Sequence, residues 1–247
     1  MTAVVALTER QVRASFHNLD IVFAVLAPIL TFVGFTIGLR SVIDTGGISY
    51  PQYVLPAVVV QAMLFGALNT TDLAAHERSS EFGVRLRTFP ISAYAPMTAR
   101  MLYCLIRGSI ALIAAFAVAY PFGFRMDGGV LFGIAFVLLA LLLTLALSFG
   151  AEATGTRAKR SDTSRQLLLI PQLLLVSLST GMAPVESFPG WVQPFVEYQP
   201  ISQITETLRG FASGKVAPGN LTMTLTWCLG LLVGLGFLAL RGQRRPT

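Results

Sequence analysis

The chain of 247 residues is 54% hydrophobic and only 12% charged, with a formal net charge of +6, about half the charged content of an average soluble domain. With a mean hydropathy of +0.68, this excludes an ordinary soluble globular protein and leaves a bundle of membrane-spanning helices about 20 residues long. The cations are scattered through short polar intervals and form no stripe, which argues against nucleic acid as a partner.

Residues 1–20 have no short apolar core followed by a small-residue cleavage site, so they do not read as a signal peptide. At helical spacing Val5, Val12, Phe16 and Leu19 share one face, and Arg10, Arg13, His17 and Asp20 a neighbouring one. That pattern fits a helix lying in the membrane interface, with a frayed polar tail as the alternative. The first span is expected over 21–39, with Pro28 inside it and Gly34 and Gly38 at the spacing that lets helices approach closely. A loop, 40–51, carries Asp44 and Gly46-Gly47 as turn residues. The second span, about Gln52 to Thr71, holds Gln61 and Asn69, which prefer a partner or a wet cavity to lipid.

The interval from Asp72 to Arg100 is the longest charged stretch between two apolar runs, holding Asp72, His76, Glu77, Arg78, Glu81, Arg85, Arg87 and Arg100. Unpaired charges cost several kcal/mol each in hydrocarbon, so the segment lies outside it. Ser79 or Ser80 can cap a short helix through about Thr88, and Phe89-Pro90 ends it. Ser92 then offers a cap for the next long helix, with Pro96 tolerated in its first turn. The reading is a short polar helix between two spans, its charges facing water or a partner; a solvated loop is the alternative.

The third span is expected from about Met101 to Phe122 and the fourth from Val130 to Ala151, joined by a brief turn over 123–128. A second basic loop follows, with Arg157, Lys159, Arg160 and Arg165 against Glu152 and Asp162. The fifth span, about Gln166 to Met182, is interrupted at Pro171-Gln172. It ends in Ser177, Ser179 and Thr180, which supply interhelical hydrogen bonds or a surface facing water.

Residues 183–218 are too polar to span and too apolar for a plain loop. Phe188, Trp191, Phe195 and Tyr198 are the ring residues that settle at a membrane boundary. Ile201, Ile204, Leu208 and Phe211 mark one face of a short helix, Gln203, Glu206 and Arg209 its other side, and Gly214 its end. Two short helices dipping into the outer leaflet, a re-entrant element, are expected here. The sixth span runs from about Leu221 to Leu240.

Six spans put both termini on one side. Thirteen of the 18 Lys and Arg residues fall in the termini and the two basic loops, against Arg40, Arg125, Arg209 and Lys215 in the opposite loops. The excess marks the cytoplasmic side, so the aromatic element faces outward. Arg107 sits roughly 10 Å into the third span by helical rise. It either snorkels to the cytoplasmic interface, the favoured reading, or pairs with Glu152.

No catalytic constellation is present. His17 and His76 stand at no metal-ligand spacing, and Gly210 to Val216 misses the phosphate-loop pattern by one residue and by the Ser/Thr after the lysine. Cys104 and Cys228 fall in apolar runs and read as small buried hydrophobes. Asp and Glu are confined to loops and span ends, which argues against a proton-coupled pump. Energy for uphill movement would have to come from another subunit.

Two stretches, HERSSEFGVRLRTFPISAYAPMTARML at 76–102 and FPGWVQPFVEYQPISQITETLRGFASG at 188–214, resemble permease subunits of the ABC-2 type. The likeness is strongest to the daunorubicin/doxorubicin resistance-like branch of actinobacteria, which includes mycobacterial lipid-exporting permeases. The second stretch is the more specific, with Pro-Gly-Trp, Gln-Pro-Ile-Ser and Leu-Arg-Gly-Phe in one order. The resemblance implies a single all-α transmembrane domain over 1–247 in the plasma membrane, paired with a second permease, itself or a sister. It implies that the interfacial helix and the first cytoplasmic loop dock on a separate ATPase, which binds ATP and Mg, and that the re-entrant helices line the exit. It places Glu77, Arg78, Glu81, Arg85 and Arg87 on the coupling surface. For a path carrying amphipathic drugs or lipids, Gln61, Phe65, Asn69, Gln172, Ser179 and Thr180 are candidates, being polar or aromatic on apolar helices. The rivals are a membrane scaffold or assembly factor, and a proton-driven multidrug carrier.

Overall fold

The structure, a computed structural model, describes residues 2–39, 48–86, 88–92, 94–155 and 161–243; side chains 2, 78, 79, 82, 84, 85, 161–168, 242 and 243 fall outside the description. Among the described residues all regular structure is helical. In chain order come α1 (Thr2–His17), α2 (Asp20–Leu39), α3 (Tyr50–Ser79), α4 (Glu81–Leu86) and α5 (Ala95–Ala119). Then follow α6 (Gly129–Gly155), α7 (Ser161–Ser177), a 3-10 turn at Val185–Ser187, α8 (Gln193–Tyr198), α9 (Pro200–Ser213) and α10 (Pro218–Gln243).

The organising element is α3, 30 residues long and so about 45 Å from end to end. Its apolar positions Val54, Leu55, Val58, Val59 and Met63 are buried among Phe32 of α2, Ala111 and Ala115 of α5, Phe136, Leu139 and Ala140 of α6, and Ile204 and Leu208 of α9. α3 outruns the expected second span by a full two turns beyond Thr71, so the charged interval begins inside a helix. Close packing against the end of α6 holds that extension. A Cβ on Gly155 would lie 2.6 Å from the Thr71 carbonyl oxygen and 2.9 Å from the Ala74 Cβ.

Among the described residues five helices, α2, α3, α5, α6 and α10, are long and apolar enough to cross a bilayer. α7, the expected fifth span, has 17 residues, about 25 Å of rise, and the chain turns through 178–182 instead of staying helical to Met182. The reason is a contact with another helix. The Thr180 N–H, which would continue the helix, donates to the Ser202 hydroxyl of α9 at 3.1 Å, and the Ser179 hydroxyl caps the Val176 carbonyl at 2.6 Å.

α1 packs on α5 and buries Thr8 and Ser15, leaving Val5, Phe16 and Leu19 exposed. Three of the four residues of the apolar face read from the sequence thus point away from the rest of the protein, and Val12 is half-buried. Gly34 and Gly38 bring no helix close: a Cβ at either would meet no heavy atom within 4 Å. The polar side of α9 corrects another expectation, because Ser202, Gln203, Thr205, Thr207 and Arg209 are buried along with the apolar face. α9 is wedged between α3, α6 and α10. Gly214 ends it in the left-handed region, φ 73°, where its missing side chain also admits Gly128 of the α5–α6 turn, 2.9 Å from where a Cβ would sit.

Candidate functional site

Each end of α3 is locked by a buried arginine. At the α4 end, Ser80 joins two helices. Its hydroxyl donates to the Glu77 carbonyl at 3.0 Å and accepts the Gly83 N–H at 3.2 Å, the N-cap arrangement the sequence called for. Gly83 must be glycine, since a Cβ would lie 1.7 Å from the Glu77 carbonyl oxygen. α4 is therefore folded back tightly on the last turn of α3, and Glu81 is exposed at its start. The Arg78 and Arg85 side chains and all of Arg87 lie outside the described residues.

Glu77 is turned inward. It accepts from the Arg100 Nη1 at 2.6 Å, while Nε and Nη2 of the same guanidinium clamp both carboxylate oxygens of Glu152 at 2.8 and 2.5 Å. Arg100 is 3% and Glu152 0% exposed. One arginine so ties the ends of α3, α5 and α6 through a bidentate bond, the strongest geometry available to a carboxylate pair. This corrects two expectations: Arg100 is no loop cation, and Glu152 is clamped by Arg100 and not by Arg107.

Arg107 neither snorkels nor reaches Glu152. Its Nε donates to both oxygens of Asp20 at 3.1 Å, and the Tyr103 hydroxyl donates to the same carboxylate. Gly66 makes the room, as a Cβ there would come within 3.1 Å of the guanidinium. Asp20 follows directly on Leu19, whose φ of 58° forms the α1–α2 corner, a conformation costing a leucine roughly 1–2 kcal/mol. The ion pair fastens that strained corner to α5.

At the opposite end of α3, Arg209 of α9 lies flat on the Tyr53 ring, 3.7 Å from its centroid. Nε and Nη2 donate to the Tyr53 carbonyl at 3.2 and 3.1 Å, Nη2 also reaches the Thr180 carbonyl at 3.3 Å, and Nη1 meets Glu206 at 2.5 Å. The Tyr53 hydroxyl donates to the Thr180 carbonyl at 2.8 Å. Gln199 adds a bond from its amide to the Leu178 carbonyl. One residue earlier in α3, Gln52 holds the α5–α6 turn, donating to the Arg125 carbonyl at 2.6 Å and accepting its N–H at 3.1 Å. Arg209, read as an exposed loop cation, is instead the centre of the junction between α3, α9 and the turn after α7.

Gln61, Phe65 and Asn69 recur every four residues along the one face of α3 that is only half-buried. Gln61 shares a small hollow of about 10 Å³ with Ser179, Gly181 and Thr205, room for about one water. Gln172 and Thr180 are packed inside, the Thr180 hydroxyl without a hydrogen-bond partner. The structure thus brings Gln61 and Ser179 together and sets Thr180 into the arginine junction. Of the boundary aromatics, Trp191 is 85% exposed and Phe195 and Tyr198 are also exposed, sharing one side of α8; Phe188 is half-buried.

Tyr53 and Tyr103 were not singled out from the sequence, and Asp20, Arg100 and Glu152 were named there without the partners they have in the structure. A signal was there. Arg100, Tyr103 and Arg107 form a polar i, i+3, i+7 stripe on α5, and Thr144, Ser148 and Glu152 an i, i+4, i+8 stripe on α6, the mark of two helices facing each other. Among the described residues no group of three His, Cys, Asp or Glu is placed to hold a metal. The Gly210 to Val216 stretch wraps the C-terminus of α9, where carbonyls rather than N–H groups project, so it repels a phosphate.

Residues 44–241 match the family model described as "ABC-2 family transporter protein". A doxorubicin resistance ABC transporter permease protein, DrrB, of Mycobacterium tuberculosis is 32% identical over 233 residues, covering 89% of this chain and 81% of the relative. A daunorubicin resistance ABC transporter permease protein, DrrB1, of Streptomyces coeruleorubidus is 25% identical over 224 residues, covering 90% of this chain and 79% of the relative.

Proposed function

The chain belongs to the ABC-2 family of transporter proteins as an ABC transporter permease, and from that premise we propose that it is the membrane half of an ATP-driven exporter of amphipathic drugs or lipids. A separate ATPase subunit binds ATP and Mg and supplies the energy, and a second permease, a copy or a sister, completes the pathway. The permeases named for doxorubicin and daunorubicin resistance support the cargo class. Six crossings, α2, α3, α5, α6, α7 and α10, with the basic intervals on the cytoplasmic side, keep both termini inside the cell.

The observation that carries the mechanism is the continuity of α3 between its two arginine locks. The ATPase grips α1, the last turn of α3 and α4 through Arg78, Glu81, Arg85 and Arg87, with Glu81 presented outward at the start of α4, while Glu77, turned inward onto Arg100, ties that surface to α5 and α6. α4 cannot move without the end of α3, because Ser80 and the glycine at 83 leave no slack between them. A rigid helix transmits that displacement about 40 Å to Tyr53, whose carbonyl and ring hold Arg209 of the outward element. Cargo moves past the half-buried face of α3, from Asn69 through Phe65 and Gln61 toward Ser179 and Thr180, between the two permeases. α8 and α9 line the exit, with Trp191, Phe195 and Tyr198 at the membrane boundary.

The test is a charge exchange on α4. Glu81→Arg with Arg85→Glu, reconstituted with its ATPase in proteoliposomes, is expected to insert normally and to lose doxorubicin export while ATP hydrolysis no longer responds to the permease. Unaltered export would remove α4 as the coupling element. Transport that persists without ATP under a proton gradient would favour the carrier, and a partner that binds no nucleotide the scaffold.

A further inference from the structure

A groove of about 580 Å³ runs along α6 from the α5–α6 turn, lined by Tyr120, Met126, Gly129, Gly133, Ile134 and Leu138 among others. Its size falls in the roughly 300–1,000 Å³ range of small-molecule sites. Two glycines create it. A Cβ on Gly129 would meet nothing within 4 Å, and one on Gly133 only Met126, at 3.8 Å. Its walls are apolar, and it opens on the surface of two helices long and apolar enough to cross a membrane.

The mouth of the groove is cationic. The Arg125 side chain is exposed and held in place by Nη1, which donates to the Tyr120 and Phe124 carbonyls at 2.9 and 2.7 Å. Its guanidinium stands 5.6 Å over the ring of Tyr120, which also lines the groove. The neighbouring acid, Asp127, is met by the Gln52 amide of α3 at 3.4 Å. α6 begins at Gly129 with no acidic residue in its first turn, so the positive end of the helix adds to the arginine. A long apolar trough with a cationic rim at the end of two spans matches one class of molecule, an acyl chain carrying an anionic headgroup.

We infer that this groove holds an anionic phospholipid of the surrounding bilayer, one acyl chain against Gly129 and Gly133 and the phosphate at Arg125. The inference rests on α5 and α6 lying in the membrane and is independent of ATP-driven transport. The test is native mass spectrometry of the full-length protein released from detergent, titrated with palmitoyl-oleoyl phosphatidylglycerol or phosphatidylcholine. The wild type is expected to prefer phosphatidylglycerol by about fivefold, the effect of one arginine at headgroup level. Arg125→Gln should erase that preference, and Arg241→Gln, at the far end of α10, should keep it. Gly133→Phe should lower the affinity for both lipids about tenfold by filling the trough. Equal preference in Arg125→Gln and wild type overturns the inference, as does an equal loss in Arg241→Gln. Undiminished lipid binding by Gly133→Phe with a fall from dimer to monomer also overturns it, and assigns the groove to a second copy of the chain.

Discussion

The two arginines that bracket α3 solve the same problem by different chemistry. Arg100 is neutralised by carboxylates, Glu152 with both oxygens and Glu77 with one. Arg209 spends most of its donors on the main-chain carbonyls of Tyr53 and Thr180 and its face on an aromatic ring, with Glu206 as its acid. A junction built of full charges is unforgiving, because removing one partner strands another in low dielectric. A junction built of carbonyls and a ring is graded: its contacts can be lost and remade one at a time without leaving a naked ion. Under the proposed mechanism, that is the behaviour wanted at the end of α3 that opens, while the end the ATPase would grip must not slip. The contrast identifies the α4 end as the fixed joint and the α9 end as the yielding one.

Breaking the fixed joint gives the largest effect. Arg100→Leu leaves Glu152 fully buried without the guanidinium that clamps it, a situation that costs about 3–5 kcal/mol. The expected outcome is loss of folded protein, read as a fall in thermal stability in detergent and in membrane yield. Replacing the whole set, Glu77→Gln with Arg100→Met and Glu152→Leu, should restore stability, since an apolar substitute of similar size usually matches or exceeds a buried ion pair. Restored stability without restored export would show the charges to be needed for transmission as well as for assembly.

Breaking the yielding joint comes second. Arg209→Lys keeps the charge but loses the planar fork and the stack on Tyr53, worth about 1–2 kcal/mol in a partly desolvated setting. Thermal stability is expected to drop modestly while export falls more than stability does. A loss of stability as large as that of Arg100→Leu would erase the distinction between the two ends.

How much of this could be read beforehand differs by region for a physical reason. The α9 face of Ile201, Ile204, Leu208 and Phe211 and its stop at Gly214 were legible, because periodicity and a left-handed cap are local properties. So was the cap at Ser80. The arginines were not. A cation near the end of an apolar run obeys the same positional rule whether it reaches water or a carboxylate 52 residues away, as Arg100 and Glu152 are. Deciding between them requires the rotation of α5 against α6, which no single segment encodes. The polar residues of α9 misled in the opposite sense, since a Gln, a Glu and an Arg on one side read as a wet face. Gln203 and Arg209 are instead taken up by carbonyls, Gln203 by that of Glu197 at 2.8 Å and Arg209 by those of Tyr53 and Thr180, and Glu206 accepts from Arg209. The early end of α7 was hidden for the same cause: its terminator, Ser202, lies on another helix.

The smallest effect sharpens the comparison most. Glu206 is the one carboxylate in the Arg209 junction, at 2.5 Å, with its side chain about a third exposed. If carbonyls and the Tyr53 ring hold Arg209, the acid is an accessory. Glu206→Gln, which keeps size and one acceptor, should then shift stability by under about 1 kcal/mol, as for solvent-reached pairs. Glu152→Gln, the same chemical change at the other end, removes a carboxylate that is fully enclosed and clamped by two nitrogens. It should cost several times more, because Arg100 keeps its charge and has only Glu77 to share it with. Melting temperatures of the two variants, measured side by side, decide the matter: equal shifts would mean that both ends rest on ion pairing and that neither is built to yield.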